Sequence, residues 1–109
     1  MSNAIVITLP HNLGVAEAKR RITQRMEELR RDYIDKIGYS EANWEGDTAK
    51  LRVVVFGQTV AAQIAVMSDT MRIEVQLPWI LAGLTNRIQG FLKSNAEETL
   101  RIGHTPTKT

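Results

Sequence analysis

The apolar residues of this 109-residue chain repeat with two different periods, and the order in which the periods alternate leaves few folds open. A period of two residues is typical of a half-buried strand, whereas spacings of three and four residues are typical of an amphipathic helix. From the N-terminus the periods predict one strand, one helix, four strands and a second helix. The chain has the length of one domain with a single core. We expect that domain to span residues 1–102 and residues 103–109 to form a flexible tail.

The first strand and a long helix are predicted from the first third of the chain. Residues 4–9 alternate between two faces, which predicts a short strand. Gly14 is the predicted N-cap of the helix, Glu17 supplies half of a capping box, and Gly38 is the predicted left-handed residue after the helix end. The apolar residues that keep helical spacing are Val15, Ala18, Ile22, Met26, Leu29, Tyr33 and Ile37. They predict a helix of about six turns.

Four further strands are predicted between residues 39 and 77, where the apolar period returns to two. Turns are predicted at Glu45–Thr48, at Gly57–Gln58 and at Ser68–Asp69, and Phe56 is placed in the strand before the second turn. Because these connections are short, successive strands must pair antiparallel, with one face of the sheet in water.

The last helix is predicted to begin at Pro78, since proline suits a first helical turn and helical spacing returns in the pattern Ile80 or Leu81, Leu84, Ile88, Phe91 or Leu92. Gly83 and Gly90 should then lie on one side of the helix, each costing about 1 kcal/mol relative to alanine. Either close packing on the sheet or a partner at the groove would account for them. The predicted fold is α+β: a single antiparallel sheet of about five strands with two helices packed on one face, in the order β-α-β-β-β-β-α.

Composition and motifs exclude several kinds of site. The chain has no cysteine, and His11 and His104 show no metal-ligand spacing, so no metal site or cofactor is predicted. There is no phosphate loop, nucleophile elbow or dinucleotide fingerprint, so no catalytic residue and no enzyme activity are predicted. Apolar runs are far shorter than the ~20 residues that span a bilayer. We therefore expect a soluble cytoplasmic protein with no integral membrane segment.

His11 and the arginines of the long helix raise two alternatives. As a general base His11 would need a reactive group beside it, whereas its place before a helix favours packing or hydrogen bonding that fixes the entry to the helix. The arginines suggest a nucleic-acid partner until their neighbours are counted. Glu17 and Glu27 each lie four residues before an arginine, and Asp32 lies four before Lys36. This pattern indicates a solvated, ion-paired face, and no nucleic-acid partner is predicted.

Trp79, Ile80 and Leu81 place three large apolar residues in a row, and one helical face cannot bury all of them. At least one should therefore point away from the core. Either Trp79 closes the end of the sheet, or it contributes to a dimer contact, an acyl pocket or a hydrophobic surface.

Three stretches, PHNLGVAEAKRRI, WEGD and FGQTVAAQIAVMSDTMRIEVQLPWILAGLTNRIQGFL, resemble the polyhydroxyalkanoic acid system protein family of bacteria. The resemblance covers about residues 5–102. Its most specific markers are His11, Leu13, Gly14, Glu17, Trp44, Glu45, Gly46 and Asp47. None belongs to a catalytic signature, and we expect structural roles for them.

The resemblance implies a non-enzymatic accessory protein of polyhydroxyalkanoate metabolism, acting in storage-granule formation or regulation. Its implied partners are the granule surface or granule proteins, and a homodimer stays open. We predict a hydrophobic interaction patch made of Trp79, Ile80, Leu81, Gly83 and Gly90. The alternative is a domain that binds a hydroxyacyl or fatty acyl ligand in a cavity between the sheet and the C-terminal helix.

Overall fold

The computed structural model of the chain describes residues 3–100 and confirms the predicted α+β fold and element order. Helix α1 spans Gly14–Asp32 and helix α2 spans Thr85–Leu100. Short 3-10 helices, Ile34–Lys36 and Trp79–Leu84, precede the second strand and α2. The five strands are β1 (Asn3–Pro10), β2 (Gly38–Glu45), β3 (Thr48–Val55), β4 (Gln58–Val66) and β5 (Thr70–Leu77). The tail expected at residues 103–109 lies outside the described residues.

All five strands form one sheet in the order β1-β5-β4-β3-β2, with every neighbouring pair antiparallel. Successive strands β2 to β5 are neighbours because two-residue or similarly short turns join them. β1 instead pairs with β5, since α1 carries the chain across the sheet before β2 begins. Ile73 of β5 lies opposite Ile7 on one side and Ile64 on the other. It therefore occupies the middle of the buried sheet face.

The core lies between the two helices and the face of the sheet that they cover, which we call the inner face. β5 alternates buried and outward side chains along its length, as the period of two predicts. The buried apolar residues of the main cluster are Ile5, Ile7, Ala18, Ile22, Val66, Met71, Ile73, Val75, Leu77, Ala96 and Leu100. Both helices contribute to this one core.

α1 ends at Asp32, so the prediction that it reaches Ile37 is wrong. Tyr33 caps the helix with φ −128°, and a 3-10 turn then leads into β2. Gly38 is the first residue of β2 and not a left-handed helix cap. A Cβ at Gly38 would collide with the backbone carbonyl of Val54, so glycine is needed for the close approach of β2 to β3.

The start of α1 also differs from the predicted capping box. Gly14 is the first helical residue, with φ +76°, and Leu13 takes the N-cap position. Glycine is favoured here because it adopts positive φ without steric cost. No side chain caps the helix, since Glu17 turns instead to Arg20 and Arg21.

The three hairpin turns lie close to the predicted positions, with one shift. Gly46 and Asp47 form the loop between β2 and β3. Phe56 and Gly57 form the loop between β3 and β4, with φ +51° and +75°. Two successive positive φ angles are the requirement of a type I′ turn, whose twist matches that of the flanking strands. Phe56 is therefore a turn residue, and its predicted place in the strand is wrong.

The predicted helix start at Pro78 is also wrong, because residues 79–84 form a 3-10 helix and α2 begins at Thr85. The Thr85 hydroxyl donates a hydrogen bond of 2.7 Å to the carbonyl of Ala82. Because a 3-10 helix and an α-helix have different numbers of residues per turn, the side chains before Thr85 do not continue the faces of α2.

Candidate functional site

Several chain segments meet at the end of the sheet where β3 passes into β4. The start of β2 lies there because Gly38 pairs with Val55. The end of β5 lies there because Gln76 pairs with Ala61, near the start of β4. The 3-10 helices that precede β2 and α2 therefore flank this same end.

Most of the exposed large apolar side chains in residues 3–100 lie at this end or beside it. We call this surface the apolar end, and its residues are Tyr33, Ile37, Tyr39, Phe56, Trp79, Ile80, Leu84 and Phe91. Two other exposed apolar residues, Val6 and Met67, lie in the middle of β1 and near the opposite end of the sheet. Clustered apolar exposure marks interaction surfaces, which makes the apolar end the candidate site.

The three consecutive residues of the predicted patch divide between surface and core. The exposed fraction is 73% for Trp79 and 55% for Ile80, whereas Leu81 is half-buried and packs against the core cluster. Leu81 therefore anchors the 3-10 helix while its two neighbours face outward.

Gly83 and Gly90 are exposed, and a Cβ at either position would meet nothing within 4 Å. Close packing on the sheet, one of the two explanations offered for these glycines, is therefore wrong. Their predicted placement on one side of a single helix also fails, because Gly83 belongs to the 3-10 helix and Gly90 to α2.

The sequence interpretation missed six residues of this surface: Tyr33, Ile37, Tyr39, Phe56, Leu84 and Phe91. Phe56 is the most exposed of them, at 79%, and it stands at the tip of the β3–β4 hairpin. The signal that could have found it is the Phe-Gly pair between two strands, because a two-residue hairpin loop requires left-handed residues there.

The exposure of the 3-10 helix before α2 follows from the length of α1. The two helices lie side by side, joined by an ion pair of 2.8 Å between Arg25 Nη2 and Glu98 Oε1. Near the end of α1, the rings of Tyr33 and Phe91 meet edge to face at 6.5 Å. The start of α2 and the segment before it therefore extend past α1, which leaves Ile80 and Leu84 exposed.

The arginines of α1 are all held by carboxylates. The Glu17 carboxylate forms ion pairs with Arg20 Nη2, at 2.6 Å, and with Arg21 Nε, at 2.8 Å. Hydrogen bonds from Arg20 and then Arg21 lower the pKa of Glu17 to about 2. A hydrogen bond from Arg30 likewise lowers the pKa of Glu27. Glu27 therefore pairs with Arg30, three residues later, and the predicted pairing with Arg31, four residues later, is wrong.

His11 is 5% exposed and joins three parts of the chain. Its Nδ1 accepts a hydrogen bond of 3.1 Å from the backbone N–H of Leu13. Nε2 lies 2.9 Å from the carbonyl oxygen of Met67 and 3.1 Å from that of Thr70. Because Nδ1 is the acceptor, the neutral ring carries its proton on Nε2 and donates it to these carbonyls. The ring thereby fastens the end of β1 and the start of α1 to the β4–β5 turn.

The residues of the W-E-G-D turn fasten α1 to the sheet. Trp44 Nε1 donates a hydrogen bond of 3.1 Å to the hydroxyl of Thr23. Lys19 Nζ lies 4.9 Å from the centre of the Trp44 ring. The same ammonium donates to the Gly46 carbonyl at 2.9 Å and contacts the Asp47 carboxylate at 3.4 Å. The Trp44 N–H, the Gly46 carbonyl and the Asp47 carboxylate are therefore all bonded to side chains of α1.

The outer face of the sheet carries exposed ion pairs, Lys50 with Glu45 at 3.2 Å and Arg52 with Glu41 at 2.9 Å. A shallow depression on this face is lined by Lys50, Leu51, Ala61, Ala62, Gln63, Glu74 and Gln76. A second depression, between the end of β1 and the end of α2, is lined by Leu9, Pro10, Glu97 and Leu100. Neither coincides with the apolar end.

Residues 3–100 contain no group of three or more histidine and acidic side chains that could hold a metal ion. No helix in this range is long and apolar enough to cross a bilayer.

Two solved structures resemble the chain over most of its length. The crystal structure of Ara h 8.0201 covers 92% of this chain and 99% of its own, at 13% identity and a TM-score of 0.37. Truncated norcoclaurine synthase from Thalictrum flavum covers 96% of both chains, at 9% identity and a TM-score of 0.47. Both TM-scores are below 0.5, so neither likeness bears on what this chain does.

No curated protein matches the chain. The family described as "Putative polyhydroxyalkanoic acid system protein" matches residues 5–100, nearly the whole described range and all three stretches that carry the resemblance. The chain belongs to the polyhydroxyalkanoic acid system protein family.

Proposed function

We propose that the chain is a non-enzymatic accessory protein of polyhydroxyalkanoate metabolism that acts in the cytoplasm, at the storage granule, in granule formation or its regulation. The family supports the setting. The observation that carries the proposal is the apolar end, where Trp79 and Phe56 are the two most exposed large apolar residues. The apolar end contacts the granule surface or a protein on it.

The chemistry of the apolar end suits such a contact. Burying about 300 Å² of apolar surface contributes roughly 7 kcal/mol before the cost of association is subtracted. Trp79, Ile80 and Phe56 can supply an area of this size, since one aromatic side chain alone presents about 150–250 Å². Leu81 packs against the core cluster and so attaches the 3-10 helix to the fold while Trp79 and Ile80 face outward.

The test uses isolated granules and a double variant, Trp79→Ser with Ile80→Ser. It should leave the granules while its circular dichroism stays unchanged, because both side chains are exposed. The matched control is Val6→Ser with Met67→Ser, two exposed apolar residues away from the apolar end. Retained binding of the first variant, or equal loss by the control, would contradict the proposal.

The alternative function, binding of a hydroxyacyl or fatty acyl ligand between the sheet and α2, stays a prediction. The half-buried inner-face residues Val60, Ala62 and Ile64 would line such a site. A thermal-shift screen against acyl ligands tests it, since a ligand at 100 times its dissociation constant adds about 2.7 kcal/mol of stability. A flat response across the series counts against it.

A homodimer also stays a prediction. β2 is an edge strand of the sheet, and edge strands present unpaired backbone groups to a second chain. Sedimentation equilibrium measures the assembly directly, and a monomer mass at all concentrations would contradict it.

A further inference from the structure

Among residues 3–100, the charged side chains without ion-pair partners are distributed unequally between the two ends of the sheet. Nearly every cation and carboxylate in residues 3–100 belongs to an ion pair, most of them on α1 and the outer sheet face. The exceptions among the described residues are three cations, Lys36, Arg87 and Lys93, and two carboxylates, Asp69 and Glu97.

Two of these cations border the apolar end. Lys36 immediately precedes Ile37 in the 3-10 helix before β2. Arg87 lies in the first turn of α2, four residues before Phe91, so these two side chains share one side of the helix. Lys93 lies further along α2, six residues after Arg87.

The carboxylates without partners lie at the opposite end. Asp69 is in the β4–β5 turn, where its backbone carbonyl accepts a hydrogen bond from the N–H of His11. Glu97 lines the depression beside Leu9 and Pro10. The chain has no aspartate or glutamate at all between Glu74 and Glu97. Among residues 3–100, the charges without partners are therefore cationic beside the apolar end and acidic at the opposite end.

We propose that the apolar end docks on an anionic lipid surface. The inference rests on the proposed function, whose interaction surface it shares, and names the chemistry that this surface meets. Trp79 and Phe56 enter the interfacial region, where aromatic rings are favoured. Lys36 and Arg87 lie against the headgroups, each adding to the attraction by an anionic leaflet.

Charge complementarity favours this partner over an uncharged polymer surface. Contact with a purely apolar surface would desolvate Lys36 and Arg87 without providing counter-charges, which is unfavourable. An anionic interface supplies those charges beside an apolar layer, as it does for amphipathic segments that lie in the interface plane.

The experiment compares flotation of the whole chain with vesicles of neutral phosphatidylcholine and with vesicles that contain about 30% phosphatidylglycerol, at ~50 mM salt. Binding to the anionic vesicles should be at least tenfold tighter and should weaken as salt is raised. Lys36→Gln with Arg87→Gln should lower anionic-vesicle binding by roughly 30-fold. Trp79→Ser with Ile80→Ser should lower binding further.

Lys50→Gln with Arg72→Gln is the matched control, because it removes the same charge from the outer sheet face without touching a residue of the apolar end. It should retain binding within about twofold of the parent chain, since a remote charge is screened beyond a Debye length. All variants are compared by circular dichroism first, so that a loss of fold is not scored as a loss of binding.

Equal binding to neutral and anionic vesicles would overturn the inference, as would unchanged binding by Lys36→Gln with Arg87→Gln. Binding to lipid-free polyester or to a granule protein, without binding to anionic vesicles, would also overturn it while leaving the proposed function standing. Binding to anionic vesicles without binding to granules would support this inference and contradict the proposed function.

Discussion

At the scale of single residues, His11, Gly14 and Gly38 each meet a specific local requirement of the fold. His11 satisfies two carbonyls and one backbone N–H in a buried site. Gly14 permits positive φ at the start of α1, and Gly38 lets β2 approach the Val54 carbonyl. The sequence could predict that these positions are special, but not which neighbour makes them so, because the neighbours come from distant parts of the chain.

Replacing His11 by leucine should destabilise the fold. The change leaves the Leu13 N–H and the Met67 carbonyl without their His11 partner, whereas the Thr70 carbonyl keeps its hydrogen bond from the Met67 N–H. Each buried unsatisfied group costs about 1–3 kcal/mol. We expect a total loss of roughly 2–4 kcal/mol in the free energy of unfolding by urea. Asn12→Ala, an exposed neighbour, serves as the control. A loss below ~0.5 kcal/mol would mean that the ring does not hold these segments together.

Acid should remove the contribution of Glu17. Its pKa in the folded chain is about 2, below the ordinary 4.5, so its ion pairs stabilise the fold at pH values above 4.5. This contribution is lost as the pH falls from about 4.5 to 2, because the unfolded chain takes up the proton first. The difference in urea midpoint between the parent and Glu17→Gln should shrink over this range, and salt should reduce it at pH 6. A difference that does not vary with pH would contradict the assignment.

At the scale of elements, the hairpin between β3 and β4 combines local strain with exposure. Phe56 adopts φ +51°, a conformation that costs an ordinary L-residue about 1–2 kcal/mol, and its ring gains little from packing. Strained residues kept at the surface point to a use other than stability. We propose that here this use is surface contact at the apolar end.

Phe56→Asn should make the chain more stable and a poorer surface binder. Asparagine tolerates the left-handed conformation, so we expect a gain of about 0.5–1 kcal/mol in the free energy of unfolding. Granule binding should fall, since the apolar tip of the hairpin is replaced by a polar one. Phe56→Leu is the matched control, because it keeps both the strain and an apolar side chain and should change neither quantity much. A destabilised Phe56→Asn variant would show that the ring packs in the fold after all.

Element order was predictable from the sequence, whereas several element ends were not. The apolar period identified every strand and both helices, because burial on one face imposes that period. The periodic stripe continued past Asp32 to Ile37, yet α1 stops at Asp32 because the chain must turn into β2. Ile37 thus kept helical spacing without being helical. Its exposure, like that of Tyr39, follows from the tertiary arrangement of the apolar end.

At the scale of the whole molecule, one sheet face and two helices form the core, and one end of the sheet carries the proposed interaction surface. The buried row through Ile7, Ile73 and Ile64 crosses three strands and ties the core together. The apolar end could be only half predicted from the sequence. Trp79 and Ile80 were recognisable from their neighbours, but Phe56, Ile37 and Tyr39 join them only through the strand register.

Ile73→Ala should cost about 2–5 kcal/mol in the free energy of unfolding, as expected for a large-to-small change at a side chain that is 6% exposed. Gln76→Ala, on the outward face of the same strand, should cost less than ~0.5 kcal/mol. Denaturant unfolding of the two variants measures the contrast. A cost below ~1 kcal/mol for Ile73→Ala would contradict the register, because a shift by one residue exchanges the two faces.

The central claim is that the apolar end is the part of the molecule that touches the granule. The chain has two tryptophans, and Trp44→Phe leaves Trp79 as the only one. On addition of isolated granules, the fluorescence of Trp79 should shift to shorter wavelength and become protected from an aqueous quencher, because its exposed ring leaves water on contact. Granule-bound protein whose Trp79 emission and quenching stay those of the free chain would contradict the account.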